Sequence, residues 1–279
     1  MANPGSALDG LEREARAVTR EAAPWVEQLA RFGYAAKGLV YILVGLFALR
    51  AARGNGQPTD SRGALRSIVS QPAGQVLIWV VALALLGYVL WRFVEAGLNP
   101  EGNKPVARVA HAISGFIYAG LALEAARLAM GRSGGQSGDQ KASHWTAEAM
   151  SHPLGKWAVV IVGVGIAAFG LQQIYNAYRV KLDEQLSLAS VSPSARRWVV
   201  RTARAGLAAR GVVFTMVGGF LLLAGLRTDP GEARGVGGAL QTLQQQPFGP
   251  WLLGAVGVGL AAYGIYELVR ARYRRIRAA

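Results

Sequence analysis

The sequence predicts an all-α, polytopic membrane protein whose six transmembrane helices form three parallel helical-hairpin repeats in a pseudo-threefold arrangement. Three observations predict it. Six windows of roughly twenty residues are apolar enough to span a bilayer. A two-block motif recurs three times along the 279 residues. Lysine and arginine also fall unequally on the two sides that this topology creates. Composition agrees: 52% of residues are hydrophobic and 16% charged, yet the formal charge is +14. That pairing suits a membrane protein with basic flanks rather than a nucleic-acid binder. The 36 glycines suit close helix contacts in lipid. The chain has no cysteine, which excludes disulfides and thiolate chemistry.

Residues 1–30 are expected to form a cytoplasmic amphipathic helix, because Leu8, Leu11, Ala15, Val18, Ala22, Trp25 and Leu29 recur at helical spacing. Three arginines stand there against five acidic residues, a poor ligand for anionic lipid. The arm is instead expected to dock on the basic 179–203 linker or the basic tail, 272–279. It lacks the short apolar core of a signal peptide, so no cleaved presequence is expected. The spans are placed at 33–51, 74–97, 107–130, 155–178, 206–226 and 249–270. They pair into hairpin repeats at 31–98, 107–178 and 204–271.

The repeat is carried by specific residues. Aligning Gly38, Gly115 and Gly211 brings Arg31, Arg108 and Arg204 into register seven positions earlier, and Tyr41, Tyr118 and Phe214 three positions later. The tetrapeptides QPAG at 71–74, HPLG at 152–155 and QPFG at 246–249 then superpose. Without a gap, GYVLWRFVEA at 87–96 matches AFGLQQIYNA at 168–177 and AYGIYELVRA at 262–271. Each unit therefore reads as helix A, a connection, a proline-glycine entry and helix B, with the proline expected in the first turn of helix B. The first and third connections contain short amphipathic segments, 63–69 and 238–244, expected to lie at the membrane interface. The middle connection, SGGQSG at 133–138, is expected to be a flexible link. Two spans per unit make all three units point the same way. Counting the flanks, 17 basic residues fall on the side of the termini and ten on the other, which predicts cytoplasmic termini.

Two sets of residues inside the spans call for explanation. The packing seam comprises Gly38, Tyr41, Gly115, Tyr118, Gly211 and Phe214, where glycines admit a neighbouring backbone and an aromatic ring fills the adjacent hole. The candidate intramembrane polar network comprises Lys37, Arg92, Glu95, Gln173, Asn176, Arg210, Glu267 and Arg270. Arg92, Gln173 and Glu267 are repeat-equivalent, as are Glu95, Asn176 and Arg270, so units one and three carry one charge pair with its signs exchanged. Such groups are costly in lipid unless paired. Arg92 and Glu95 are expected to cross-pair with Glu267 and Arg270, with Lys37 and Arg210 also within reach of Glu267. The competing reading has Lys37 and Arg210 snorkelling to the headgroups, since they lie about 9 Å inside the span at 1.5 Å per residue. Glu124 is expected to form an interfacial ion pair with Arg127. His144, His152 and Asp139 are near one another on the middle connection but do not form a metal-ligand motif.

The motifs RFGYAAKGLVY at 31–41 and GYVLWRFVEA at 87–96 resemble the bacterial membrane family catalogued as domain of unknown function 1206. The resemblance covers residues 31 to 275 and implies three tandem two-helix modules in the inner membrane; it implies no activity. The middle unit departs most from the pattern, with His111, Ser114 and Gln172 at positions held elsewhere by Tyr or Leu, by Lys or Arg, and by Trp or Tyr. No nucleophilic serine motif and no paired intramembrane carboxylates occur. The expected function is therefore non-enzymatic, with no cofactor and no metal: binding or organising membrane lipids, or a membrane or cytoplasmic protein partner. The alternative is a channel or transporter with its pathway along the pseudo-threefold axis.

Overall fold

A computed structural model of the chain describes residues 4–97, 105–132, 135–179 and 192–273, with backbone alone for 4–26, 29 and 106. Nine α-helices and one short 3-10 turn make up the described residues, which contain no strand. The helices are α1 (Pro4–Ala52), α2 (Ser61–Val69), α3 (Gly74–Gly97), α4 (Pro105–Ala129) and α5 (Gly138–Met150). They continue with α6 (Gly155–Arg179), α7 (Pro193–Arg227), α8 (Val236–Gln244) and α9 (Gly249–Tyr273). Six of them are long and apolar enough to cross a membrane, beginning at Ala30, Gly74, Ala107, Gly155, Pro193 and Gly249. Their outward faces carry large exposed apolar side chains such as Leu83, Phe116, Ile117 and Ile161. Water would not tolerate so much exposed apolar surface; lipid favours it.

Helices α1, α4 and α7 are the A members of the three repeats, and α3, α6 and α9 the B members. The tightest packing is not within a hairpin. Each B helix instead seats on the A helix of the next repeat, α3 on α4, α6 on α7, and α9 back on α1. Small residues seven positions apart explain the closeness. A Cβ at Gly38 would lie 2.7 Å from the Gly264 carbonyl oxygen, and one at Gly45 would lie 2.6 Å from that of Gly257. The α6–α7 seam repeats this, with Gly211 2.7 Å from the Gly170 carbonyl oxygen and Gly218 2.7 Å from that of Gly163. No real side chain tolerates such distances, so these positions must be glycine. In α3 the equivalent residues are Ala82 and Val89, and there Gly115 of α4 receives the ring of Phe93, 3.1 Å away.

A second contact closes the hairpins of repeats one and three. Gly33 lies against the backbone of Tyr88, and Gly206 against that of Tyr263. The middle repeat has Ala110 and Phe169 at these places, and no packed interface joins α4 to α6. The consequence is visible across the gap: Gly259 meets Ala209 on α7, whereas its equivalent Gly165 meets nothing. The ring of helices is thus closed on five sides and open on the sixth.

The proline-glycine entries are three copies of one turn. Ala73, Leu154 and Phe248 adopt left-handed backbone with φ of 59°, 67° and 60°. The following glycine amide donates back to the carbonyl of Gln71, His152 or Gln246. That glycine sits so close to the end of the preceding helix that a Cβ would overlap its last carbonyls. The expectation that proline occupies the first helical turn is corrected: each B helix begins two residues later, at the glycine. The proline with its locked φ shapes the turn instead.

Three other expectations change. The N-terminal arm and the first span form one uninterrupted helix; what the arm's side chains pack against lies outside the described residues. The 179–203 linker is helical from Pro193, where Ser192 caps α7 by accepting from the Ala195 amide; residues 180–191 and the tail from 274 lie outside the described residues. The middle connection holds a 13-residue helix, α5, started by a reciprocal capping box between Ser137 and Gln140.

Those connection helices interlock. Asp60 caps α2 through the Gly63 amide at 3.0 Å. The matching residue of α8 is Gly235, which has no side chain to offer. Asp139 of α5 supplies the missing carboxylate from the neighbouring repeat, accepting from the amides of Gly235 at 2.7 Å and Gly238 at 2.9 Å. Glu124 is buried, and its partners are not the expected Arg127. It accepts from the Gly135 amide at 2.9 Å and pairs with Arg66 at 3.6 Å and Lys141 at 3.9 Å. Desolvation, then the nearby Arg62, hold the Lys141 amine below its ordinary pKa.

Candidate functional site

The seam residues place a layer of aromatic rings at the centre. Tyr41 meets Tyr263 edge-on with centroids 4.7 Å apart, Tyr118 meets Tyr88 at 4.7 Å, and Phe214 meets Phe169 at 5.6 Å. The three pairs are repeat-equivalent, each joining an A helix to the B helix of the preceding repeat, with interplanar angles of 72°, 70° and 85°. This is pseudo-threefold packing read at single side chains. Edge-to-face geometry sets positive ring edges against negative faces.

Lys37 lies inside this layer. Its ammonium donates to Glu267 Oε1 at 3.0 Å, the Tyr263 hydroxyl at 3.0 Å and the Tyr88 hydroxyl at 3.3 Å. The rings of Tyr88, Tyr118 and Tyr263 surround it at 5.2–5.6 Å. Only 3% of Lys37 is accessible. Snorkelling is therefore excluded: three donors have three acceptors, and the side chain turns inward.

Glu267 serves two cations. Besides Lys37 it accepts from Arg270 through both oxygens, at 3.1 and 3.2 Å. Arg270 covers the ring of Tyr34 at 4.6 Å. Arg92 pairs along its own helix with Glu95 at 2.5 Å and directs Nε and Nη2 at the Tyr88 hydroxyl, 2.8 and 2.6 Å away. Among the described residues, no ion pair joins α3 to α9 in the expected cross-pairing. Residues three apart on one helix already face each other, so each pair closes locally, and Tyr88 connects the two halves.

Arg210 does not reach Glu267. It donates to the Tyr41 hydroxyl at 3.2 Å and packs on Phe214, Tyr263 and Phe169 at 4.8, 5.0 and 5.4 Å. Gln173 and Asn176 stand apart from the network: Asn176 is exposed and Gln173 half-buried, because α6 packs along only one seam. Sequence reasoning missed His111, whose Nδ1 lies 2.8 Å from Arg92 Nη1 and 3.6 Å from Glu95. Its alignment with Tyr34 on the inward stripe was the available signal. Tyr88 and Tyr263 were missed as hydrogen-bonding partners because their hydroxyls are indistinguishable, in sequence, from packing aromatics.

Two of the three repeat-equivalent arginines, Arg31 and Arg108, have a separate task. Arg31 donates to the carbonyls of Ala271 and Arg272 at the end of α9, at 2.8 and 2.7 Å. Arg108 does the same for Ala96 and Gly97 at the end of α3, at 2.8 and 2.9 Å. A cation there meets both the unpaired carbonyls and the negative end of the helix dipole.

Fold and centre together define a class: an all-helical protein of three tandem two-helix repeats with six membrane-length helices. Within that class the chain belongs to the family described as Domain of Unknown Function (DUF1206), whose model matches residues 32–98, 109–180 and 205–274, one match per repeat. A relative in Bacillus subtilis, "Uncharacterized protein YxxB", is 30% identical over 264 residues, covering 93% of this chain and 95% of the relative. No solved structure matches.

Proposed function

We propose that this is a non-enzymatic protein of the bacterial inner membrane that binds or organises lipid or protein partners, with both termini cytoplasmic. The observation that carries the reading is the layer of paired rings between the repeats and the buried lysine within it. Six aromatic side chains pair at repeat-equivalent positions on the seams between repeats, and the ammonium of Lys37 is held by two of their hydroxyls and by Glu267. Conduction needs sites that an ion can both enter and leave. A lysine locked between a carboxylate and two hydroxyls resembles a clasp that fixes neighbouring repeats instead. The excess of basic residues beside the termini supports the orientation.

Proteoliposomes holding the full chain are expected to be no more permeable to protons, potassium or chloride than protein-free vesicles. Flux that vanishes in Glu267→Gln would replace this reading with a channel or transporter running past Lys37, Arg92, Arg210 and Glu267. Because the chain has no native cysteine, orientation is testable with single substitutions. Gly54→Cys is expected to react with an impermeant maleimide on intact cells, and Ala278→Cys only after permeabilisation.

A further inference from the structure

The middle repeat leaves the bundle open between α4 and α6, and a cation without an ion pair among the described residues, Arg210, packs on Phe169 of α6. Lys37 and Arg210 are repeat-equivalent. Lys37 is neutralised by Glu267 across the α1–α9 seam. Across the α6–α7 seam the residue equivalent to Glu267 is Gln173, so the position that supplies Lys37 with a carboxylate carries only an amide in the middle repeat. Among the described residues Arg210 has one hydrogen-bond acceptor, the Tyr41 hydroxyl, and no ion pair. A guanidinium carries five N–H donors. One half-buried among rings without a counter-ion is costly to the fold unless an anion completes it.

Its neighbours are Tyr41 of α1, Tyr263 of α9 and Phe169 of α6, the last 5.4 Å away on one of the two helices that flank the opening. Lys37, Arg92, Arg210 and Arg270 also outnumber Glu95 and Glu267 around the centre. The walls of the opening are apolar. Ile113 and Ile117 on α4, and Val162 on α6, are exposed, whereas their equivalents in the first repeat, Ala36, Val40 and Val81, are buried. Arg210 lies six residues inside Arg204, or about 9 Å at 1.5 Å per residue, a depth that a lipid phosphate reaches by a small inward displacement of its headgroup. A soluble anion would have to cross the same apolar walls without chains to cover them.

We propose that the cleft between α4 and α6 holds one anionic phospholipid, its phosphate on Arg210 and its acyl chains along Ile113, Ile117 and Val162. The site gives the proposed lipid-binding function its ligand class and rests on that reading. The pairing is charge-assisted and bidentate in kind, as arginine and phosphate favour. The middle repeat's departures follow from it: a carboxylate at position 173 would neutralise Arg210 internally, and a closed α4–α6 contact would exclude the lipid.

The test uses the purified full chain in neutral detergent, titrated with phosphatidylglycerol or phosphatidylcholine, with bound lipid counted by native mass spectrometry. Wild type is expected to retain one phosphatidylglycerol in preference to phosphatidylcholine. Arg210→Gln is expected to weaken that retention about tenfold or more. Gln173→Glu, which copies the Lys37–Glu267 arrangement, is expected to weaken it as much while preserving helicity and a single elution peak. Should Arg210→Gln fail to fold, Gln173→Glu decides alone. Undiminished phosphatidylglycerol binding in Gln173→Glu, equal retention of phosphatidylcholine, or displacement of the lipid by inorganic phosphate would each overturn the proposal, the last by making the ligand a free anion. Vesicle flux is read separately: loss of lipid selectivity without flux condemns this site alone, and Glu267-dependent flux condemns the broader reading.

Discussion

At the scale of single residues, Glu267 is the most exacting position. One carboxylate with no accessible surface pairs with both Lys37 and Arg270. Removing it leaves two buried cations, and breaking a buried pair from one side costs about 3–5 kcal/mol. Removing Lys37 leaves the Glu267–Arg270 pair intact. Glu267→Gln is therefore expected to lower the unfolding midpoint in detergent far more than Lys37→Met, and the double variant is expected to fall between them. Equal losses in the two single variants would show that Arg270 contributes nothing to holding the carboxylate. Position 139 offers a milder case. Asp139→Ala removes the carboxylate that accepts from the first amides of α8, for about 1 kcal/mol, and its effect is expected mainly as faster amide exchange at Gly235 and Gly238.

At the scale of elements, the glycines divide into two groups by what surrounds them. A Cβ at Gly170 would lie 2.5 Å from the Thr215 amide nitrogen and 2.7 Å from the Gly211 carbonyl oxygen, so Gly170→Ala must push α6 away from α7. Gly165 and Gly120 face open space. There alanine is expected to raise stability by up to about 1 kcal/mol, the ordinary helix preference over glycine. Thermal unfolding of the three variants separates the cases, with Gly170→Ala falling and the other two holding or rising. The entry turns give a matching contrast. Ala73→Gly relieves a left-handed φ and is expected to be neutral or stabilising, whereas Gly74→Ala is expected to disrupt the turn because its Cβ has no room.

At the scale of the whole molecule, the ring of helices is open between α4 and α6. Ala209 and Gly259 touch across α7 and α9, and their equivalents Ile113 and Gly165 do not touch across α4 and α6. In this cysteine-free chain, the pair Ala209→Cys and Gly259→Cys starts with Cβ atoms 2.2 Å apart, under the roughly 3.5–4.5 Å of a disulfide, and is expected to cross-link on mild oxidation in membranes once α7 and α9 part slightly. Ile113→Cys with Gly165→Cys is expected to stay reduced, since a disulfide needs Cα atoms within about 7 Å. Rapid cross-linking of the second pair would close the ring and remove the lipid cleft.

Much of this architecture is legible in the amino-acid sequence. The six spans, the three repeats, the entry turns and the two connection helices are local matters of apolar length, motif and turn chemistry. The helices begin and end within a few residues of the expected limits, except where α1 and α7 run on. The inward direction of Lys37, the role of Tyr88 and Tyr263 and the trans-capping by Asp139 are not legible there, because each depends on a residue from another repeat. Even the tightest helix pairs escape hairpin logic. A connection of about twenty residues leaves a helix free to choose its partner, and the choice goes to the surface whose glycines it matches.

The module and its copy number follow from the order of amino acids alone, since both are set by periodicity and by the length of apolar segments that lipid requires. Which helix each module presents to the next, and that the middle one stays unclosed, emerges only in the assembled bundle. The physical reason is that lipid rewards burial of every apolar face alike. Selection among neighbours is left to small differences in backbone approach and to a few charges, and those are resolved only when all six helices are in place.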